Sequence, residues 1–303
     1  MSNEKEIPIQ KYVIYLLAII TSFFIILRVI LYFSDILPWI KETKDIDFKI
    51  LIEGMDNGLA NFYDDVTISD WPPYYLYFWY FLFLPVKIIS INGVVGVYVW
   101  DVLRLVLTIF IIRKSSKMFK NKKDLLIFYI LGIVGYSIDA YYNNVNFLIA
   151  FLLFYSLVYL ERDQKWIAGI LFTLATFKIT AIVFIPVLLI ARKIKAKDLI
   201  YFLIPFAIIS IPYMVFPDYF QQMVTNWAYS DAEIKGVLII DSIMWKALQP
   251  SHLMFIGLLL IIVFENIKNE DRKNLYRIVL VSIVAIYYVY LTTIVFIIPV
   301  VLA

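Results

Sequence analysis

Apolar stretches of span length alternate with shorter polar ones along most of this chain. The first, Tyr12 to Phe33, meets the ~20 residues needed to cross ~30 Å of hydrocarbon, and no small-residue cleavage site follows it, so it reads as a retained span. Further apolar runs cover Val94 to Ile112, Leu125 to Ile138, Phe147 to Leu160, Trp166 to Ala191, Leu199 to Val215, Leu253 to Phe264, and Leu275 onward. Two places break the rhythm. Ser34 to Trp71 is polar and acidic, and the following Pro73 to Ile91 is dense in Tyr, Trp and Phe and interrupted by Pro85, which suits a helix lying at the membrane interface. Residues 216–251 form a second long polar segment.

Charge orients these runs. Lys and Arg cluster at Arg113 to Lys123, at Arg192 to Lys197 and at Lys268 to Arg277, and the positive-inside rule places all three in the cytoplasm. With the N-terminus inside, the first span puts the acidic loop outside, so an odd number of crossings must return to Arg113; Val94 to Ile112 is that crossing, the alternative being that Pro73 to Ile91 is itself a span and the inside rule fails at Arg113. Between Lys123 and Arg192 the chain must come back to the same side, which requires Trp166 to Ala191 to leave and return within one apolar stretch. A break near Phe177-Lys178-Ile179 meets that requirement, because non-helical backbone at that depth is tolerated where it is buried in protein or lines a watery cavity. The expected fold is all-α, a polytopic transmembrane helical protein of about nine passes with short or broken helices and interfacial helices in the first external loop. We expect one integral membrane domain over 1–303. Its parts are a first span at 12–33, an external catalytic loop at 34–91, core spans at 94–215, a second external loop at 216–251 and C-terminal spans at 253–303.

Composition agrees with that picture and removes several classes. The chain is 63% hydrophobic and 17% charged, with a mean hydropathy of +0.84. Cysteine is absent, so disulfides, thiolate metal sites and thiol catalysis are excluded. The lone His252 cannot anchor a histidine metal cluster, and the net charge of +3 is spread over short loops rather than gathered in a nucleic-acid-binding stripe.

The candidate chemistry lies in two sets of polar residues. The first external loop carries Asp35, Asp45, Asp47, Glu53, Asp56, Asp64, Asp65 and Asp70, ending at Trp71-Pro72-Pro73. Within the spans sit Asp101 and Arg104, three apart on one helical face, then Asp139, Asn143, Asn144 and Asn146, and Lys178 between long apolar runs. Polar groups in a membrane interior are costly unless paired or facing a cavity, so each is a functional candidate. Each also has a plainer reading: Asp101 with Arg104 as an ion pair that eases insertion, Asn143 to Asn146 as a polar turn, and Asp45 or Asp47 as a helix N-cap before Phe48 to Asn57.

The ordered motifs Asp45-Ile46-Asp47-Phe48, Asn57-Gly58, Phe62-Tyr63-Asp64, Trp71-Pro72-Pro73-Tyr74, Asp101-Val102-Leu103, Asn143-Asn144-Val145-Asn146, Ala168-Gly169-Ile170 and Phe177-Lys178-Ile179 resemble the C-type glycosyltransferases. Those polytopic enzymes use a polyprenyl-phosphate sugar, and the resemblance is strongest to the first mannosyltransferase of GPI-anchor assembly and to bacterial polyprenol-phosphate-mannose-dependent enzymes. It runs from about residue 10 to 195, with no family motif beyond Leu199. It implies an inverting transfer of a hexose, mannose foremost, from a polyprenyl- or dolichyl-phosphate sugar to a lipid-linked or glycolipid acceptor. It also implies an accessory membrane subunit as a partner.

Such a transfer needs a base near the acceptor hydroxyl and positive charge near the departing phosphate. Asp45 or Asp47 is the expected base, the other orienting the acceptor or holding Mg²⁺ or Mn²⁺, and Lys178 would receive the sugar donor's phosphate. Asp64, Asp65, Asp101, Arg104, Asn143, Asn146 and Trp71 are expected around substrate. High Ile, Lys and Tyr usage suits a prokaryotic plasma membrane, an archaeal one included, with the active site extracytoplasmic. A secondary transporter, a lipid flippase and a non-catalytic accessory subunit stand as alternatives. The concentration of carboxylates in one external loop, with no repeated half, favours surface chemistry over transport at the midplane.

Overall fold

A computed structural model describes residues 9–34, 38–64, 73, 75–90, 95–118, 122–190 and 192–234. These residues are mostly helical, with no strand among them. Two of their helices, Ile9–Phe33 and Ala196–Val215, are long and apolar enough to cross a membrane. The spans expected beyond residue 234 and the site candidates Asp65 and Trp71 lie outside the described residues. The described residues divide into two compact units, one within 9–52 and 84–151, the other within 53–83 and 152–234.

In the first unit, α1 (Ile9–Phe33) packs against α5 (Gly96–Ser115) and α6 (Lys122–Tyr142). A short α2 (Pro38–Thr43) follows α1, and α3 (Ile46–Asp56) starts immediately after Asp45. These helices are amphipathic in an inverted sense. On α5 the outward residues are Val102, Val106 and Phe110, whereas Asp101, Arg104, Thr108 and Ser115 are buried. Along α6 an exposed stripe of Leu126, Ile130, Val134 and Ile138 recurs every fourth residue, and Asp139 and Asn143 at its end are buried. Apolar faces of this extent are unfavourable against water and natural against lipid, and charge retreats to where it can be paired.

The second unit contains α8 (Lys165–Ala175), α9 (Phe184–Ile190), α10 (Ile200–Val215) and α11 (Pro217–Ile234). The expected break is present. Helix α8 ends at Ala175, Lys178 is extended (φ −98°, ψ 104°), and a 3₁₀ turn over Ile179–Val183 leads into α9. The backbone freed there is partnered within the protein: Leu76 N–H donates to the Phe177 carbonyl at 2.6 Å, and the Phe177 ring stacks on Trp79 at 4.5 Å. Helices α8 and α10 pack closely because residue 169 is glycine. A Cβ there would lie 1.8 Å from the Tyr201 carbonyl oxygen.

The aromatic segment differs from expectation at its start. Its helix, α4 (Trp79–Ile89), is 11 residues, about 16 Å at 1.5 Å per residue, and Tyr75 to Phe78 stay non-helical. That stretch is held by tertiary bonds instead: Tyr77 N–H donates to Tyr213 Oη at 2.7 Å, and Tyr77 Oη–H to the Ile209 carbonyl at 2.8 Å. The second polar segment is not all loop either, since Pro217–Ile234 is helical. The remaining helix, α7 (Asn146–Glu161), completes the order.

Candidate functional site

The buried polar residues of the first unit converge around Asp45. Its position requires two unusual backbone conformations, because Asp45 and Asn143 both lie in the left-handed region, with φ of 64° and 53°. Asp and Asn enter that region more readily than other non-glycine residues. The Asp45 N–H donates to the Tyr141 carbonyl at 3.1 Å, which docks the start of α3 onto the end of α6. Trp100 completes the framework from α5, its indole N–H donating to the Asn144 carbonyl at 3.2 Å and its ring lying against Phe48 and Phe147.

Within that framework the side chains form a closed ring. Arg28 of α1 donates from Nε and Nη2 to the two oxygens of Asp45, at 2.6 and 3.1 Å, and from Nη1 to Asp101 Oδ2 at 2.7 Å. Arg104 bonds Asp101 Oδ1 through Nη2 and Asn143 Oδ1 through Nη1. Asn143 Nδ2 returns to Asp45 Oδ1 at 2.6 Å. Lys44 adds a further ammonium against Asp45 Oδ1 and caps the Ala140 carbonyl at 3.2 Å. Asp101, Arg104 and Asn143 are fully buried, and Asp45 is 5% exposed. The i,i+3 pair expected between Asp101 and Arg104 is therefore present, extended through Arg28 to the loop carboxylate.

The two loop aspartates differ. Burial would raise the Asp45 carboxyl, but the Arg28 hydrogen bonds and the Lys44 and Arg28 charges hold it below the usual carboxylate range. Lys44 does not gain symmetrically. Burial pushes its ammonium down to about 8, and Arg28 repels it while sharing its carboxylate. Asp47, two residues on and half-buried in the first turn of α3, accepts a hydrogen bond at Oδ2 from Asn144 Nδ2. Consecutive asparagines thus each hold one of the two aspartates.

Mg²⁺ or Mn²⁺ shared by Asp45 and Asp47 does not fit these residues. Both Asp45 oxygens already accept from cationic or amide donors, and an ion there would face Arg28 and Lys44. Among the described residues no three His, Cys, Asp or Glu side chains gather in a way that could hold a metal.

Asp139 accepts from the Phe147 N–H at the start of α7, and Asn146 is buried at that helix's first residue. Lys178 belongs to the second unit, half-buried at the helix break, and Asp64 is exposed in the turn after Tyr63. Arg28 and Lys44 are the residues sequence reasoning missed. Arg28 carried a signal, a lone cation inside an apolar run; Lys44 adjoined the singled-out aspartate.

Helices with apolar exposed faces around a buried, internally neutralised carboxylate suit a membrane protein. The model of glycosyltransferase family 87 matches residues 73–297, roughly three quarters of the chain, and the protein belongs to that family. The match carries the family well past Leu199, where sequence motifs ran out, and includes Asp101, Arg104, Asn143, Asn144 and Lys178, whereas Asp45 and Asp47 precede it. No curated protein and no solved structure matches the chain, so a specific likeness to GPI mannosyltransferase I is not shown.

Proposed function

We propose that this protein is a multi-pass membrane glycosyltransferase that transfers a hexose, mannose first, from a polyprenyl-phosphate sugar to a lipid-linked or glycolipid acceptor on the extracytoplasmic face. Asp47 is the general base. The observation that carries this assignment is the difference between the two loop carboxylates: Asp45 is buried and bonded by Arg28, Lys44 and Asn143, while Asp47 is half-buried in the first turn of α3, where Asn144 orients it. A buried carboxylate already neutralised by two cations is a weak proton acceptor, and a positioned, partly solvated one is a better base.

In the proposed step Asp47 takes the acceptor hydroxyl proton as its oxygen bonds the anomeric carbon. The bond from that carbon to phosphate oxygen breaks, its electron pair leaving with the phosphate, and a single displacement inverts the centre. Lys178 is assigned the sugar donor's phosphate, on the strength of the helix break at that residue and of the resemblance described above. About nine passes remain our proposed topology, supported by the inverted amphipathicity of α5 and α6.

The test supplies purified protein in lipid with radiolabelled polyprenyl-phosphate-mannose or polyprenyl-phosphate-glucose and a lipid extract from its own cells. Label moving to a new lipid with wild type and not with Asp47→Asn supports the reading and names the sugar. Equal transfer by Asp47→Asn overturns the base assignment, and no transfer from either sugar donor by folded protein overturns the activity.

A further inference from the structure

Arg28 makes one hydrogen-bonded bridge between carboxylates from two different elements, Asp45 before α3 and Asp101 on α5. Its guanidinium uses all three nitrogens, is 12% exposed, and lies over the Tyr98 ring at 4.9 Å. The far side of the same ring is closed by Arg104 and Asn143, and Lys44 lies against Asp45. Two arginines and Lys44 thus serve two carboxylates at this ring. A divalent ion bound at a pair of acidic side chains would do three things: cancel their repulsion, fix their separation and set the angle of each carboxylate plane. Arg28 already does all three. A planar guanidinium imposes orientation as well as charge, which a lysine's ammonium does not.

We propose that Arg28 is the resident cation of this site, a positioning residue that takes the place of a divalent metal ion at Asp45 and Asp101, so that the protein works with no metal bound there. By fixing Asp45 it fixes the start of α3, and with it Asp47 two residues later. The consequence for transfer rests on the function proposed above; the exclusion of metal from Asp45 does not.

The experiment uses the full chain in lipid and has an arm independent of activity. Mn²⁺ binding is followed by electron paramagnetic resonance in wild type and Asp45→Asn, and transfer is measured with EDTA or with added Mg²⁺. The expected result is no Mn²⁺ binding that Asp45→Asn removes, and equal transfer with EDTA and with Mg²⁺. Arg28→Gln is expected to lower kcat by about 10–100-fold with little change in the KM for the sugar donor, the size of loss seen when an orienting partner is removed. Arg28→Lys, keeping charge but not the fork, should recover only part of it. Stoichiometric Mn²⁺ binding lost in Asp45→Asn overturns the proposal, as does transfer abolished by EDTA and restored by Mg²⁺. So does an Arg28→Gln protein whose folded fraction turns over like wild type. Should Arg28→Gln fail to fold, wild-type metal binding and Arg28→Lys kinetics still decide. If wild type transfers no sugar, the proposed activity fails, and the Mn²⁺ arm alone decides what Arg28 does.

Discussion

Asp45 and Asp47 are separated by one residue and divided by their partners. Removing charge from Asp45 leaves Arg28 and Lys44 without their shared counter-ion in a buried place, and breaking a buried pair in this way costs about 3–5 kcal/mol. Asp45→Asn should therefore lower the melting temperature of purified protein, whereas Asp47→Asn should leave it nearly unchanged while abolishing transfer. The sign of the pH dependence follows from the same partners. Because the folded Asp45 carboxyl is held below its unfolded value, its contribution is complete at neutral pH and is lost as pH falls through the folded value; thermal melts between pH 7 and 3 should show a slope that Asp45→Asn reduces. Lys44 acts oppositely. Its folded ammonium loses a proton near 8, below the 10.5 of the free group, so the unfolded chain holds more protons in that window. Stability should rise across it, and Lys44→Met should flatten the rise. The aspartates are legible because acidic residues crowd the first polar loop. Arg28 was not singled out, because its meaning depends on Asp101, far away in sequence, and a cation within a span looks alone until the helices are packed.

At the scale of elements, the helix break near Lys178 was legible from parity, and what holds it was not. The parity of the expected topology locates it, yet the Leu76 N–H on the Phe177 carbonyl and the Trp79 ring on Phe177 come from a segment a hundred residues earlier. Helix α11 is hidden for a different reason. Its polar residues suggest a loop, although Phe220, Met223, Val224 and Trp227 repeat at helical spacing and Met223 is buried. The aromatic helix starts later than its sequence pattern predicts, because Tyr75 to Phe78 spend their bonds on Phe177, Tyr213 and α10 instead of on a helix. Close packing of α8 on α10 gives a direct test. Gly169→Ala places a methyl against the Tyr201 carbonyl, a backbone atom that cannot swing aside, so the helices must separate. Overpacking of this kind costs about 1–3 kcal/mol. Gly58→Ala is the control. It sits at φ +79° with nothing near its Cβ, so its loss is one of backbone strain alone and should be the smaller. Thermal melts of the two variants decide the order.

For the whole molecule, the inverted pattern of apolar faces outside and charges inside makes orientation the property to measure, and the absence of cysteine supplies a clean background for it. The positive-inside rule puts Lys117 and Lys197 in the cytoplasm and, with one crossing between α4 and Arg113, puts Asp64 outside. All three side chains are exposed, so replacing each by cysteine removes no buried bond. In intact spheroplasts a membrane-impermeant maleimide should label Asp64→Cys, and should label Lys117→Cys and Lys197→Cys only after permeabilisation. The result bears on α4 directly. If Lys117→Cys were labelled from outside while Asp64→Cys was too, an even number of crossings would separate them, and α4, at about 16 Å, would have to cross with help from its non-helical approach. If the expected pattern holds, α4 stays at the interface and the carboxylates of the first loop face the side where a lipid-linked sugar is proposed to be used.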